Sequence, residues 1–257
     1  MKVPILSELK SKGESPEYLF WVGCAGSFDD RSKKVTKAFV KILNKANISY
    51  AILGKEESCT GDPAKRAGNE FLFQMKAIAN IEILDSYSIK NIITTCPHCF
   101  NTIKNEYPEL GGNYNVIHHT TFINNLIKEN RISIGGGFYK GKRITYHDPC
   151  YLGRANGIYE APREVIEKLD AELVEMKSCK SKSLCCGAGG AQMFKEPEKG
   201  NQDINIKRSE EAINTDSEIV AVSCPFCNTM MSDGMTSKEK NIKVLDIAQM
   251  IEKAEDL

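Results

Sequence analysis

Nine of the ten cysteines in this 257-residue chain fall into two runs of nearly identical spacing. The first run is Cys24, Cys59 and the element Cys96-Pro97-His98-Cys99; the second is Cys150, the vicinal pair Cys185-Cys186 and Cys224-Pro225-Phe226-Cys227. The first step is 35 residues in both runs, the next is 37 in one and 39 in the other, and a glycine follows the middle cysteines each time (Gly61, Gly187). Matching intervals and a repeated Cys-Pro-x-Cys element mark an internal duplication, offset by 126 residues, so the chain folds as two copies of one unit.

The segments between the cysteines repeat a common order. Short apolar runs at 18–22, 48–53, 90–95 and 114–117 read as strands, and 33–45 and 71–84 as helices. In 33–45 the core-facing positions are Val35, Phe39, Ile42 and Leu43; in 71–84 they are residues 71, 72, 75, 78 and 79. The second copy has strands at 143–146, 172–176 and 218–223, with helices at 162–169 and 204–214. This alternation predicts an α/β fold of two tandem Rossmann-like repeats, each a small parallel sheet flanked by helices. Expected boundaries are an N-terminal leader at 1–17, a first domain at 18–135 and a second at 136–257. The glycine-rich stretch 131–142, with Gly135, Gly136, Gly137 and Gly141, forms the junction. Sites in open parallel sheets form outside the carboxyl ends of the strands. Every cysteine element here follows a strand, so the elements of one repeat should converge at one sheet edge.

Lys+Arg and Asp+Glu both number 34, and this balance argues against a nucleic-acid binder. No apolar run approaches the roughly 20 residues that span a bilayer, so direct membrane insertion is not expected. The first fifteen residues lack an apolar signal core. The expected location is cytoplasmic, peripheral to the inner membrane where a partner is membrane-bound. In a reducing compartment ten cysteines are ligands or redox groups rather than disulfides.

A sulfur-rich donor set selects zinc or an iron–sulfur cluster. Zinc takes four ligands, whereas the second run offers five: Cys150, Cys185, Cys186, Cys224 and Cys227. A larger cluster accounts for the fifth. Two other readings compete: a zinc-stabilised scaffold without redox activity, and a thiol–disulfide exchanger acting through Cys96/Cys99 or Cys224/Cys227.

The pattern Cys, about 35 residues, Cys-Cys-Gly, about 37 residues, Cys-Pro-x-Cys resembles the cysteine-rich CCG domain. The resemblance spans about 20–251, with further similarity to bacterial iron–sulfur oxidoreductases around Trp21-Val22-Gly23-Cys24-Ala25-Gly26 and Cys185-Cys186-Gly187-Ala188-Gly189-Gly190. This domain occurs twice in the B subunit of heterodisulfide reductase, and in lactate, glycolate and glycerol-3-phosphate oxidation systems. The resemblance implies a non-cubane 4Fe–4S cluster on the five cysteines of the second run, with Cys185 and Cys186 at its reactive side. The first run keeps Cys24, Cys59, Cys96 and Cys99 but has Thr60 at the fifth ligand position, which suits a cubane 4Fe–4S cluster or zinc. The implied role is an oxidoreductase subunit that passes electrons to or from a partner or substrate. Its partners would be ferredoxin-type or flavoprotein subunits, because the chain has no dinucleotide or phosphate-loop fingerprint of its own.

Other residues carry two readings each. His147, before Asp148-Pro149-Cys150, is a proton donor at the second site or a structural strand-end hydrogen bond. Gly187, Gly189 and Gly190 either let backbone N–H groups reach cluster sulfurs or simply form a tight loop. His98 is expected beside the first site or exposed, with ligation the alternative, and His118 and His119 on a surface turn, with facing the first site the alternative. Cys179 reads as a plain partly buried cysteine, with a redox thiol close to the cluster the alternative, Arg154 as an anion or salt-bridge partner, Phe20 and Trp21 as core, and the charged tail 252–257 as a solvated helix end.

Overall fold

The structure, a computed structural model, describes residues 3–134, 137–196 and 199–257. The first half contains α1 (Leu6–Ser11), β1 (Tyr18–Trp21), α2 (Gly23–Phe28), α3 (Asp30–Lys45), β2 (Tyr50–Ala51), α4 (Asp62–Arg66), α5 (Glu70–Ser86), β3 (Asn91–Thr94), α6 (Pro97–Asn101), β4 (Asn115–His118) and α7 (His119–Lys128). The second contains β5 (Arg143–Tyr146), α8 (Glu160–Lys168), β6 (Glu172–Leu173), α9 (Ile204–Ile213), β7 (Ile219–Val222), α10 (Pro225–Ser237), β8 (Lys243–Asp246) and α11 (Ile247–Ala254).

The strands form two parallel four-stranded sheets, in the orders β2-β1-β3-β4 and β6-β5-β7-β8. Their registers agree residue for residue. Leu19 pairs with Ile92 as Thr145 pairs with Val220, and Thr94 pairs with His118 as Val222 pairs with Asp246. The duplication is therefore structural, with two extra residues in the second copy between its vicinal cysteines and β7. The largest contact between the halves is made twice: α3 lies on α11, and α7 lies on α8. Because α3 corresponds to α8, and α7 to α11, the join is a pseudo-twofold. A single apolar core, including Phe20, Phe39, Phe122, Ile144, Val165 and Ile251, runs through it. Across the same join His119 Nε2 meets Asp246 Oδ1 at 3.0 Å, and that oxygen also accepts from Ala248 N to cap α11.

Three local expectations change. His118 and His119 are fully buried rather than on a surface turn, since β4 runs directly into α7 between the two repeats. On α5 the stripe expected inside is outside: Phe71, Leu72, Met75 and Ile78 are exposed, and Phe73, Ala77, Asn80, Ile81 and Leu84 are buried. That helix is apolar on both faces, so periodicity offers two stripes, and the chosen one carries Asn80, which holds the Cys59 loop. In the segment expected as a leader, Leu6 is buried, Leu6 N donates to Ile52 O and Ile52 N to Pro4 O, extending the edge of the first sheet. Gly135 and Gly136, where the domain boundary was expected, lie outside the described residues, as do residues 1 and 2. No helix among the described residues is long and apolar enough to cross a membrane.

Candidate metal centres

In each repeat three strand ends deliver thiols to one edge. Cys24 opens α2 after β1, Cys59 follows β2, and Cys96 and Cys99 sit at the start of α6 after β3. Cys150, Cys185-Cys186 and Cys224/Cys227 hold the equivalent places after β5, β6 and β7. Pro97 and Pro225 sit at the first helical position, where no N–H is needed, so each helix begins at once. The second cysteine of the pair then lies one turn further along the helix.

The second loop is built alike in both copies. Gly61 and Gly187 take φ of +90° and +93°, a left-handed turn that glycine tolerates. Their N–H groups donate to Cys59 Sγ at 3.5 Å and Cys185 Sγ at 3.3 Å. Gly189 lies beside Cys150, since a Cβ there would be 4.0 Å from its sulfur, while Gly190 has φ +67° and open space around it. The repeats diverge at the next residue. Cys186 Sγ lies 3.4 Å from Cys227 Sγ, whereas Thr60 Oγ1 lies 3.9 Å from Cys99 Sγ. Thr60 is buried, so a hydroxyl occupies the place of a thiol.

The thiols of each set act on one another. Hydrogen bonding from Cys24 pulls Cys59 down to about 6, and Cys99 draws Cys96 down to about 7, while Cys24 and Cys99 are pushed up by the same contacts. In the second set Cys185, hydrogen-bonded by both Cys150 and Cys186, is strongly lowered; Cys150, Cys186 and Cys227 are raised. Sulfurs packed this closely keep protons among themselves until a cation replaces them. The 3.4 Å Cys186–Cys227 separation is near the ~3.8 Å of two thiolates on one tetrahedral ion with metal–sulfur bonds of about 2.3 Å. Five soft donors from three loops fit a polynuclear iron–sulfur centre; four thiols and a hydroxyl fit a four-ligand one.

Supporting residues surround these sets. His147 is buried, Arg208 Nε donates to its Nδ1 at 2.9 Å, and burial together with the Arg208 charge lowers it to about 3. A neutral imidazole accepting at Nδ1 carries its proton on Nε2. A ring nitrogen of His147 and the sulfurs of Cys186 and Cys227 lie within 4.8 Å of one another. Arg163 clamps the neighbouring Asp148 with bonds of 2.8 and 2.9 Å.

At the first site His98 is buried rather than exposed. Its Nδ1 meets Asp62 Oδ2 at 2.8 Å, and against the cost of burial this bond raises it to about 9. Glu57, pushed up to about 7 by burial, accepts from Gly23 N at 2.6 Å and Val22 N at 3.0 Å, tying the Cys24 loop to the Cys59 loop. Sequence reasoning missed Glu57, Asp62 and Arg208. Aligning the repeats exposes one of them, since Asp62 and His98 stand where the second copy has Ala188 and Phe226. Cys179 is half-buried among Glu175, Arg163 and Asp148, apart from the thiol sets, and Arg154 donates to Ser183 O.

Two convergent thiol sets at the carboxyl edges of duplicated parallel sheets define a thiolate-ligated metal-cluster protein. Residues 18–104 and 144–232 both match the cysteine-rich domain CCG, and the chain belongs to that family. Over 254 residues it is 41% identical to the "EtfAB:quinone oxidoreductase" of Syntrophomonas wolfei, covering 96% of this chain and 35% of that protein. Over 253 residues it is 41% identical to the "Probable iron-sulfur-binding oxidoreductase FadF" of Bacillus subtilis, covering 97% and 36%. It is 32% identical to a subunit of the dihydromethanophenazine:CoB–CoM heterodisulfide reductase of Methanosarcina barkeri, covering 94% and 59%. The chain spans just over a third of the length of the first two curated relatives.

Proposed function

We propose that the second site holds a non-cubane 4Fe–4S cluster on Cys150, Cys185, Cys186, Cys224 and Cys227, and that the first holds a cubane 4Fe–4S cluster on Cys24, Cys59, Cys96 and Cys99. Bound there, such clusters supply one-electron chemistry. The chain's own residues do the rest. Cys185 and Cys186 present adjacent sulfurs at the second site, the Gly187 N–H stabilises the Cys185 thiolate, and buried His147 excludes water while offering a ring N–H. The observation that carries the reading is the Cys186–Cys227 contact, which brings a fifth thiol into a set that zinc fills with four.

In this reading the chain relays electrons between an electron-transferring flavoprotein or ferredoxin-type partner and an acceptor on the route to quinone. It sits beside the membrane through that partner. The names of the Syntrophomonas protein and of a "Probable membrane-anchored ferredoxin" from Chromohalobacter salexigens, 40% identical, support this direction. Splitting a disulfide between two matching clusters fits less well, because Thr60 makes the two sites unequal.

The test is anaerobic purification with iron, sulfide and zinc quantified, followed by EPR of oxidised and reduced samples. About eight irons per chain is the expected result for two four-iron clusters. The oxidised paramagnetic signal of the second site should disappear in Cys186→Ser. Zinc without iron after anaerobic reconstitution overturns the reading.

A further inference from the structure

Trp21 and His147 hold the same position in the two repeats, three residues before Cys24 and Cys150 and at the carboxyl ends of β1 and β5. Trp21 is fully buried and lines the cavity enclosed by Cys24, Cys59, Cys96 and Cys99. Its Nε1–H has no hydrogen-bond partner among the described residues. Buried indole N–H groups normally find an acceptor, because leaving one unpaired forfeits its hydration without return. In the second repeat the ring at this position also lies beside the thiols. Arg208 occupies His147 Nδ1, which leaves the imidazole proton on Nε2, and a ring nitrogen lies within 4.8 Å of the Cys186 and Cys227 sulfurs. Two different side chains thus supply one feature at one place: a buried ring that carries an N–H and borders the thiol set. A residue serving only as core filler has no reason to preserve that donor when tryptophan is exchanged for histidine.

We propose that Trp21 Nε1–H donates a hydrogen bond to a sulfur of the cluster held by the first site, as His147 Nε2–H does at the second, and that these bonds raise the reduction potentials. The inference rests on the proposal that the first site holds an iron–sulfur cluster. Reduction adds negative charge that spreads onto the sulfurs, so a fixed donor stabilises the reduced form more than the oxidised one. Trp21 is a positioning and potential-setting residue here, since it is not a ligand.

Trp21 is the sole tryptophan of the chain, so an indole-¹⁵N label reports on Nε1 alone. The experiment uses the full chain, labelled and loaded anaerobically, with iron analysis, redox titration and pulsed EPR of the reduced first-site signal. A ¹⁵N coupling and a coupled proton that exchanges with deuterium are expected. Trp21→Phe should lose both and shift the first-site potential downward, while Trp21→His should recover an exchangeable proton coupling and move the potential back up. An iron-loaded first site with no ¹⁵N coupling, or with the same potential in Trp21→Phe as in wild type, overturns this inference and leaves the cluster assignment intact. If Trp21→Phe does not load, the labelled wild type decides by itself. A first site holding zinc or no metal overturns the inference together with the assignment beneath it.

Discussion

His98 and Phe226 meet across the join of the two repeats, with ring centroids 5.1 Å apart and planes inclined by 73°. Each is the third residue of its Cys-Pro-x-Cys element, so the contact is made on the pseudo-twofold. Tyr151, next to Cys150, lies against His98 at 4.4 Å, and Phe226 itself lines the cavity of the first thiol set. The two sets are therefore neighbours, separated by side chains rather than by secondary structure.

The first prediction follows from that adjacency. With both sites loaded, the EPR spectrum should be broadened by interaction between two spins when the first site is reduced and the second is still oxidised. A fully oxidised sample, or a Cys96→Ser variant lacking the first cluster, should give the sharp spectrum of the isolated second centre. Additive spectra in the mixed state would show that the sites do not interact.

Thr60 sets the second. Its hydroxyl lies 3.9 Å from Cys99 Sγ, where the other repeat has a thiol at 3.4 Å. Thr60→Cys should give the first site a five-thiol set and a second copy of the paramagnetic oxidised signal, at unchanged iron content. Thr60→Val removes the hydroxyl while keeping the shape, and iron binding by the four cysteines should persist. An oxidised spectrum of Thr60→Cys identical to wild type would show that the fifth position alone does not determine the type of centre.

Much of this arrangement was legible from spacing. A duplication that repeats intervals between cysteines must repeat the strands that deliver them, and the registers of β1, β3 and β4 recur in β5, β7 and β8. What spacing does not carry is the partner of a polar side chain distant in sequence. His98 finds Asp62, His119 finds Asp246 across the join, and Arg208 reaches back to His147; each pair is created by the packing of elements whose order in space only the fold supplies. The buried stripe of α5 is hidden from periodicity for a different reason. Both faces of that helix are apolar, and the choice between them is made by Asn80, whose Nδ2 donates to Cys59 O and to Tyr107 Oη at 3.0 Å each.

That reversal is itself a prediction. Phe71, at 76% exposure, should tolerate Phe71→Ser within about 0.5 kcal/mol, as surface changes do. Phe73, at 1%, should cost about 3–5 kcal/mol on Phe73→Ala. Urea unfolding of both variants measures the difference, and equal effects would place the other face inside.

Arg208 is fully buried and bonds His147 Nδ1, Ser178 O, Ser183 Oγ and Glu211. Arg208→Gln leaves Glu211 without its cation and His147 without its donor, and should cost about 3–5 kcal/mol, the usual loss on breaking a buried ion pair. Partial rescue by Glu211→Gln in the same chain would show that the unpaired carboxylate is the larger part of that loss. A stability loss below about 1 kcal/mol, on the order of a single surface pair, would contradict the buried network.

The last prediction concerns acid. His118 is buried between the repeats, and burial, aided by its neighbour His119, holds it well below its usual range. The folded chain therefore keeps His118 neutral at pH values where the unfolded chain, titrating near 6.5, takes up a proton. The unfolded state binds more protons below that point, so stability falls as pH drops through about 6.5, by about 1.4 kcal/mol per pH unit for one histidine. Buried His147 adds a slope of the same sign. Glu57, raised from 4.5 to about 7, opposes it, since its folded form holds the proton over most of this window. His98, raised against the cost of burial to about 9 by Asp62, contributes a stabilisation that is complete below 6.5 and lost only as pH rises through about 9. Those three are common to wild type and His118→Asn, so the difference between the two unfolding curves isolates His118. Between about pH 5 and 6.5 the variant should lose less stability than wild type as acid is added, by close to one proton's slope. Parallel curves would mean that His118 protonates as readily in the folded chain as in the unfolded one.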